Sequence, residues 1–570
     1  RELIRERSRL PQHVYLFKHV LSQETAYASL LLRRRRELHG RLAECLEQID
    51  PDQVDEIARH FLEAQEEGRA LPYLVASGDR AAKACSLPEA IEYYTRALQG
   101  LEATQDLRLV RRLYEGLGGA LTSANEVQRA LEIYRTMHQT AEEHGDLPMK
   151  VSALNKLGFV TALVQGRYLE AEQQYLVDSE QLAHSCNDLP GLAELHVIQC
   201  YLRVPFGEFD EAISHLEEAA RIGSELDLEE PKLFGMTHRA NALTYLTNFE
   251  EAHQATQEAL QAAQELGNRK WEAELLALSS AFYHLRNGDL SAAYQVAEEG
   301  QNLAAQIGAP EQEAYGAILL GLIAWLRGEY QSAVSHLEQA LEAGHKSGFP
   351  FLQAAPLCTL GTVYLEISGE YLEQAKEFHS QSLEAMEKPL GAVMGTFIWV
   401  QVGFCALAMG DLERANEFFQ KGLTVPTAMR FLVRPQLLIG SAIIALAQDR
   451  LGEAEQLVAE ARGFVDERGM KHLYPLVALG QAQVNMAKGE YVKALEEFER
   501  CESLALEMQM RPLVLQARLG AAQALSESAL SEKGDAKLAD ARTMIDEMAG
   551  LFSDDELRRR FIESAAGKIE

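Results

Sequence analysis

Residues that could support catalysis or bind metal occur in the sequence, but their spacing matches no catalytic motif. No GxxxxGK[ST] phosphate loop is present: Gly567-Lys568 is followed by Ile569, with no glycine at the required upstream position. There is also no HExxH, GxSxG or kinase-type motif. The 16 histidines and seven cysteines show no metal-ligand spacing. Acidic pairs such as Glu217-Glu218 and Glu298-Glu299 are typical of solvated helix faces. We therefore expect no catalytic site, cofactor or metal in this chain.

Charge and composition narrow the classes of partner and compartment. The 570 residues hold 54 Lys and Arg against 85 Asp and Glu, a net charge of −31, which argues against a general nucleic-acid-binding protein. The low aromatic share of 7% and the 16 prolines favour helix over strand. The odd number of cysteines, without a CxxC pair, favours a reducing, cytoplasmic compartment. Residues 1–9 are charged and do not resemble a signal peptide. Because residue 1 is Arg, we expect that the chain is part of a longer protein.

Four consecutive arginines form the one strongly basic run. Arg33, Arg34, Arg35 and Arg36 lie in residues 1–46, where ten Lys and Arg face only five Asp and Glu. The run could bind nucleic acid, dock on an acidic neighbouring domain or be a solvated helix face. Consecutive residues point to all sides of a helix, so the four cannot face one ligand. We therefore favour docking or solvation.

The elements that must position any binding site are set by an internal repeat. A turn followed by a fixed alanine recurs along the chain, as in Gly328-Glu329-Tyr330-Gln331-Ser332-Ala333. Successive alanines are 39 to 42 residues apart in eleven copies. We call them the anchor alanines: Ala90, Ala130, Ala171, Ala212, Ala252, Ala293, Ala333, Ala375, Ala415, Ala454 and Ala494.

Two further series of small residues accompany the anchors. One lies about 13 positions before each anchor, as at Gly321, Gly361 and Gly403, and the other lies seven positions after it. Met137 and Asp178 interrupt the second series. Small residues at helical spacing mark places where helices approach closely. Each unit is therefore predicted to be a helical hairpin: a first helix, a tight turn at Gly-Asp/Glu, and a second helix that carries the anchor.

The pattern G-[DE]-[YFL]-x-x-A resembles the tetratricopeptide repeat over residues 69–551, about twelve units. The period of about 40 residues exceeds the usual ~34 and is similar to that of the maltose-regulon activator family. The resemblance implies an all-α solenoid in a right-handed superhelix, in place of the four domains that the length would suggest. The uncharged run 389–410 is then a buried first helix that carries Gly403, although its length would also suit a membrane span.

The N-terminal part resembles a different region. Residues 15–47, YLFKHVLSQETAYASLLLRRRRELHGRLAECLE, are similar to the end of the winged-helix segment of bacterial signal-transduction ATPases with numerous domains. We predict a strand at 14–18 and a helix from Ser22 to about Gln48. The predicted organisation is a winged-helix-like junction at 1–50, a linking helix at 51–68, the repeats at 69–551 and a capping helix at 552–570.

Tetratricopeptide arrays bind their partners mainly on the concave side, which the first helices line. The first-helix glycine, taken as a register mark, predicts inward-facing aromatic, amide and imidazole side chains that could hold a peptide backbone and apolar groups. The competing interpretation is that the aromatic rings fill the space between hairpins. The candidate concave-groove residues are Asn155, Phe159, Tyr201, Asn241, Tyr245, His284, Trp325 and Phe404.

Two functions remain open from the sequence. The resemblance implies a non-catalytic sensor arm that binds a protein, peptide or small inducer and regulates an ATPase or nucleotide-cyclase module missing from this chain. ATP and Mg²⁺ would belong to that missing module. The alternative is a stand-alone scaffold that assembles partner proteins. A GK[ST] phosphate loop encoded upstream of Arg1 would favour the sensor arm, and its absence would favour the scaffold. We expect neither a nucleic-acid nor a membrane partner.

Overall fold

The computed structural model describes residues 4–8, 14–17, 20–83, 86–124, 126–387, 395–425, 429–528, 531–567 and 569. It forms two compact units, Arg1–Val160 and Thr161–Glu570, which we call unit 1 and unit 2. The division falls inside the predicted repeat array, at a π-helical stretch, Val160–Val164.

Unit 1 begins with a two-stranded antiparallel sheet. The strands are Ile4–Ser8 and Val14–Phe17, paired in the register Ile4↔Phe17 and Glu6↔Tyr15. The second strand lies where the sequence predicted one, and Lys18 of that prediction is outside the described residues. The first strand was not predicted.

The predicted helix from Ser22 to about Gln48 is wrong in one respect, because the structure divides it. The two helices are Val20–Ala28 and Leu32–Ile49, and Leu31 between them is extended, with φ −61° and ψ 143°. Arg35 holds the break: its Nε donates to the carbonyl of Leu30 at 3.0 Å and its Nη2 to that of Ala28 at 2.8 Å. These bonds satisfy carbonyls that a continuous helix would have used internally.

The rest of unit 1 is helical. The remaining helices are Val54–Glu63, Glu67–Lys83, Leu87–Gln99, Leu107–Ser123, Val127–His144 and Leu147–Phe159, with a short 3₁₀ turn at Leu101–Ala103.

Unit 2 consists of antiparallel helical hairpins in sequence order. Its helices are Tyr168–Ala171, Val177–Cys186, Leu189–Arg203, Phe209–Glu225, Glu229–Tyr245, Phe249–Leu266, Arg269–Leu275, Ala281–Arg286, Leu290–Ile307, Pro310–Leu326, Tyr330–Ser347, Pro350–Ile367, Leu372–Met386, Thr396–Ala408, Leu412–Thr424, Met429–Ala447, Leu451–Arg468, Tyr474–Ala487, Tyr491–Glu507, Arg511–Glu527, Ser531–Ala549 and Asp555–Ala566. Two π-helical stretches, Glu172–Leu176 and Leu276–Ser280, interrupt this pattern, and 3₁₀ turns occur at Val204–Phe206, Gly369–Tyr371 and Lys471–Leu473.

The conformation of the Gly-Asp turns follows from the properties of the two residues themselves. Gly410 has a φ of +76°, a left-handed conformation that ends the first helix and that glycine adopts without strain. The next residue, Asp411, caps the second helix by accepting from the backbone N–H of Arg414 at 3.1 Å. Asp289 caps Leu290–Ile307 in the same way, through the N–H of Ala292.

Burial confirms the anchor alanines, and the structure explains the small residues that precede them. No anchor is more than 3% exposed. The side chain four positions after the anchor packs onto the first-helix glycine: a methyl group added at Gly361 would lie 2.7 Å from Nε2 of His379, and one at Gly403 would overlap the Phe419 ring. The glycine is therefore space left for a large side chain of the second helix.

The break at Asp178 in the second small-residue series has a structural cause. The π-helical stretch Glu172–Leu176 contains one more residue in its turn than an α-helix would. Ser179, fully buried, consequently occupies the contact position, while Asp178 is exposed. At the other break, Met137 is itself fully buried.

Unit 2 closes on itself. Arg511 Nη1 donates to the carbonyl of Arg327 at 2.9 Å, and Arg560 Nη1 to Oε2 of Glu370 at 2.6 Å. Gln331 bonds the backbone N–H groups of Ser553 and Asp554, 222 and 223 positions away. At a period of about 40 residues, segments about five repeats apart therefore meet. We call these contacts the closing seam.

The uncharged run 389–410 forms the predicted first helix from Thr396 to Ala408, with Gly403 buried at the contact with Phe419. Residues 388–394 lie outside the described residues. A neighbouring segment, Arg430–Ala447, is long and apolar enough to span a membrane by length and composition, and 61% of it is buried inside the structure.

Candidate ligand-binding cavity

Unit 2 contains a partly open cavity of about 420 Å³ between its first helices. Side chains from seven successive first helices, from Ala281–Arg286 to Arg511–Glu527, line it. The volume lies within the range of small-molecule sites, ~300–1,000 Å³. Most of the lining is aromatic or aliphatic, including Phe282, Leu322, Trp325, Phe397, Phe404 and Leu476.

The closing seam is what makes this space a cavity. Arg286 ends the helix Ala281–Arg286, whereas His472 precedes the helix Tyr474–Ala487, and the two side chains line the same wall. The imidazole of His472 hydrogen-bonds the backbone of Arg286. A straight array of hairpins could not bring these residues together, because they lie 186 positions apart in the printed sequence.

A few polar groups interrupt the apolar wall. Glu366 Oε2 accepts the hydroxyl of Tyr330 at 2.9 Å. Gln401 is bonded on both sides, by its Nε2 to Oγ1 of Thr359 at 3.1 Å and by its Oε1 from the Thr362 hydroxyl at 3.0 Å. The polar atoms of Glu366 and Gln401 named here therefore already have hydrogen-bond partners within the protein.

Two of the predicted groove residues, Trp325 and Phe404, line the cavity. Both are half-buried, and Phe404 also contacts the Phe419 ring edge to face, at a centroid distance of 5.3 Å. They combine the two roles weighed from the sequence, since each ring packs between hairpins and also faces the interior. His284 is half-buried beside Tyr283 and is not among the lining residues.

Asn241, Tyr201 and Tyr245 belong to a second group, around two carboxylates. Asn241 is only 7% exposed; its Nδ2 donates to Oε1 of Glu274 at 3.4 Å, and its Oδ1 accepts from Ser279. Burial raises the pKa of Glu274. Burial, with the charge of Glu274, also raises the pKa of Glu311.

Gln312 Nε2 donates to the other oxygen of Glu274 at 3.1 Å. Both oxygens of this buried carboxylate therefore have amide donors, and Asn241 is one of them. The prediction that Asn241 contacts a ligand at the surface needs correction: its amide is committed to Glu274. Tyr201 is half-buried, with its hydroxyl 3.4 Å from Nε2 of His238, and burial raises the pKa of Tyr245.

Comparisons with known proteins give no assignment by sequence. No protein-family model and no curated protein matches the chain. Among solved structures, the chain is similar to the Cut9-Hcn1 hetero-tetramer of APC/C, with 14% identity, TM-score 0.49, 96% of this chain and 99% of the other. A Rap protein complexed with competence and sporulation factor matches 63% of this chain and 99% of its own, with 13% identity and TM-score 0.47.

A third similar structure is a signal-transduction ATPase with numerous domains and a tetratricopeptide repeat sensor from Pyrococcus horikoshii. It shares 15% identity and has a TM-score of 0.41, over 68% of this chain and 58% of the other. Apart from the two short strands of unit 1, the fold is an all-α tetratricopeptide-type solenoid. The hairpins, anchors and turns described above carry that conclusion.

Asn155 and Phe159 lie in unit 1, at the end of Leu147–Phe159. Asn155 is fully buried, so its predicted place on an open groove is wrong: a buried amide presents no atoms to a surface ligand. Phe159 is half-buried.

The four arginines behave differently from one another, as consecutive helical positions must. Arg35 holds the preceding helix through its two carbonyl bonds and stacks over Tyr27 at 4.7 Å. Arg33, Arg34 and Arg36 are exposed, and Arg34 pairs with Glu37 at 2.6 Å. Docking of Arg33, Arg34, Arg35 and Arg36 on another domain stays a prediction.

Sequence reasoning missed the cavity and three polar residues in its wall, Arg286, Gln436 and His472. The candidates for the interior were chosen from the aromatic, amide and imidazole residues next to each glycine, so the charged Arg286 and the later residues Gln436 and His472 were not considered. The available signal was that the first helices after residue 310 carry few charged residues. Contact with the neighbouring hairpins alone does not require so few. Among the described residues, no group of three or more His, Cys, Asp or Glu side chains could hold a metal ion.

Proposed function

We propose that the chain is a non-catalytic binding arm of a multidomain signal-transduction ATPase or cyclase, and that unit 2 takes its ligand in the central cavity. The ligand is a small inducer or an apolar part of a bound peptide or protein. The observation that carries the proposal is the partly open, mainly apolar cavity of about 420 Å³ with Trp325 and Phe404 in its wall. A core made only for stability would fill such a space with side chains.

The closed arrangement also gives the arm a means of regulation. The cavity wall combines side chains from segments that meet only when the solenoid is closed, such as Leu285 and Leu473. A ligand that contacts both segments binds the closed state better than an open one, and it shifts the population by that difference in affinity.

Binding in the cavity is tested with 1-N-phenylnaphthylamine, an apolar dye that fluoresces in dry surroundings. The chain should bind one dye molecule, and Leu322→Trp, which fills the cavity, should weaken binding about tenfold or more. Leu169→Trp is the matched control, because Leu169 is 62% exposed and away from the cavity. Equal dye binding by all three proteins, each with an unchanged helical circular dichroism signal, would refute the proposed site.

The regulatory part has its own test in the coding sequence upstream of Arg1. A GxxxxGK[ST] loop within a few hundred codons supports attachment to a nucleotide-binding module. Its absence would refute that attachment and leave the stand-alone scaffold.

A further inference from the structure

Three residues in the cavity wall have side-chain atoms that the protein leaves without a hydrogen-bond partner. Nε of Arg286, Nδ1 of His472 and Oε1 of Gln436 are shielded from solvent and have no hydrogen-bond partner in the protein. All three residues line the cavity and come from three different first-helix segments. A buried polar atom without a partner costs about 1–3 kcal/mol. In this structure the three atoms are closed off from the cavity as well as from solvent, so a polar group of a ligand would pair with them once their side chains turn towards the cavity.

Arg286 carries the positive charge among the described lining residues of the cavity, and on its other side Glu250, Glu251, Asp466 and Glu467 line a neighbouring open pocket. Arg286 is 9% exposed, and its Nη2 pairs with Oε1 of Glu250 at 2.9 Å. The Glu250 side chain, however, is 82% exposed, so water screens most of its attraction for the guanidinium. The guanidinium also lies over the Phe249 ring at 4.5 Å. The single carboxylate among the described lining residues, Glu366, already accepts the Tyr330 hydroxyl.

We propose that the central cavity binds a small organic acid, whose apolar body fills the cavity and whose carboxylate accepts hydrogen bonds from Arg286. This inference rests on the proposed function and adds the chemical class of the ligand. A guanidinium binds a carboxylate through charge-assisted hydrogen bonds, which can be bidentate. The aromatic and aliphatic wall around Phe282, Leu322 and Phe397 selects an apolar body.

The other two unmatched atoms, Nδ1 of His472 and Oε1 of Gln436, indicate a further group on the ligand. Burial lowers the pKa of His472 to about 4, so the imidazole is neutral at pH 7. One ring nitrogen is used on the backbone of Arg286, and Nδ1 is then an acceptor, like Oε1 of Gln436. A hydroxyl group near the carboxylate would donate to either acceptor. The acid is therefore a hydroxy acid with an alkyl or aryl body.

The experiment compares probes by isothermal titration calorimetry with the full chain. 3-Hydroxydecanoate and 1,3-decanediol share the tail and the hydroxyl group and differ only in the carboxylate. 3-Hydroxydecanoate should bind about 10–100-fold more tightly, as expected for a charge-assisted bond in a buried site. Equal or tighter binding of the diol would refute the proposal that the ligand is an acid, whereas the cavity would still be the binding site. Failure of both probes to bind would count against the proposed function as well.

Two variants assign the effect to Arg286. Arg286→Gln should remove most of the advantage of the acid and leave diol binding within about threefold. Glu250→Gln keeps Arg286, changes an exposed residue and removes the competing carboxylate, so the acid should bind about two- to fivefold more tightly. Arg239→Gln is the control, because Arg239 pairs with Glu217 and Glu251 and is not among the lining residues.

Weaker acid binding by Glu250→Gln, or an unchanged acid advantage in Arg286→Gln, would overturn the role of Arg286. A last arm separates a free acid from a peptide C-terminus. N-acetyl-Leu-Phe carries the same carboxylate on a peptide body, and binding of this peptide without binding of 3-hydroxydecanoate would overturn the small acid.

Discussion

The contact between Gly403 and Phe419 allows a quantitative test of how the hairpins pack. Gly403→Ala adds one methyl group to the helix Thr396–Ala408, and that methyl would overlap the fully buried Phe419 ring. Alanine favours the helix by about 0.5–1 kcal/mol relative to glycine. Overpacking a rigid core costs about 1–3 kcal/mol. The overlap should therefore exceed the helical gain, and the variant should be less stable.

The matched control is Gly463→Ala in the helix Leu451–Arg468. A methyl group at Gly463 would meet nothing within 4 Å, so this variant should gain helix stability without a clash. The difference between the two variants removes the shared helical gain and leaves the overpacking cost of about 1–3 kcal/mol. In a Phe419→Val background the space opens, and Gly403→Ala should become stabilising by up to about 1 kcal/mol.

Hydrogen exchange of the amides in Leu412–Thr424 is the suitable assay, because repeat arrays open locally and a global two-state analysis is unsafe. Gly403→Ala should accelerate exchange there by up to about 70-fold, the factor for a net loss of up to about 2.5 kcal/mol once the helical gain is subtracted. Slower exchange in Gly403→Ala would show that the ring moves aside at no cost. The glycine would then need an explanation other than the Phe419 contact.

Three further predictions follow from single side chains. Arg35→Ala should speed hydrogen exchange in Val20–Ala28, because it removes two carbonyl bonds, whereas exposed Arg36→Ala should not; equal effects would contradict the capping role. Burial lowers the pKa of His379 to about 4, below the ~6.5 of an unfolded chain, so its contribution to stability is complete above pH 6.5 and falls by up to about 3 kcal/mol as the pH drops towards 4. His379→Gln should reduce the acceleration of hydrogen exchange in Leu372–Met386 between pH 7.5 and 5, after correction for the intrinsic pH dependence of exchange, and an unchanged acceleration would contradict this cause. Gln331→Ala should make Asp555–Ala566 about fivefold more sensitive to protease, because the segment before that helix loses its bonds to the Gln331 side chain; unaltered cleavage would show that those bonds do not hold the seam.

The hairpins could be predicted from the sequence because their contacts are local. An anchor such as Ala415 meets partners within its own and the adjoining hairpins, so its requirement for a small residue recurs every 40 positions. The turn at Gly410-Asp411 is likewise set by the conformational preference of two adjacent residues. The break at Asp178 could not be predicted, since a π-helical stretch has no distinct residue pattern and moves the register by one position.

The closing seam could not be predicted from the repeat. It depends on small rotations between hairpins that add up over about five repeats, and no single repeat encodes their sum. Arg511 and Gln331 look like ordinary helix-start residues in the sequence, and only the closed structure gives them partners. Asn241 shows a related limit: its position in the first helix was identified, but its bond to Glu274 depends on the packing of the next hairpin.

In the proposed function, closure of unit 2 and ligand binding are coupled, because residues of the same cavity wall take part in both. Arg286 and His472 lie on opposite sides of the boundary between segments five repeats apart, and both line the cavity. A ligand bonded to both adds its binding free energy to the seam contacts of Arg511 and Gln331, and it stabilises the closed state by an amount that grows with ligand concentration. Conversely, a variant that opens the seam must weaken binding even without touching the cavity, since linkage is reciprocal. Gln331→Ala should therefore raise the dissociation constant for 1-N-phenylnaphthylamine, whereas Leu169→Trp should not.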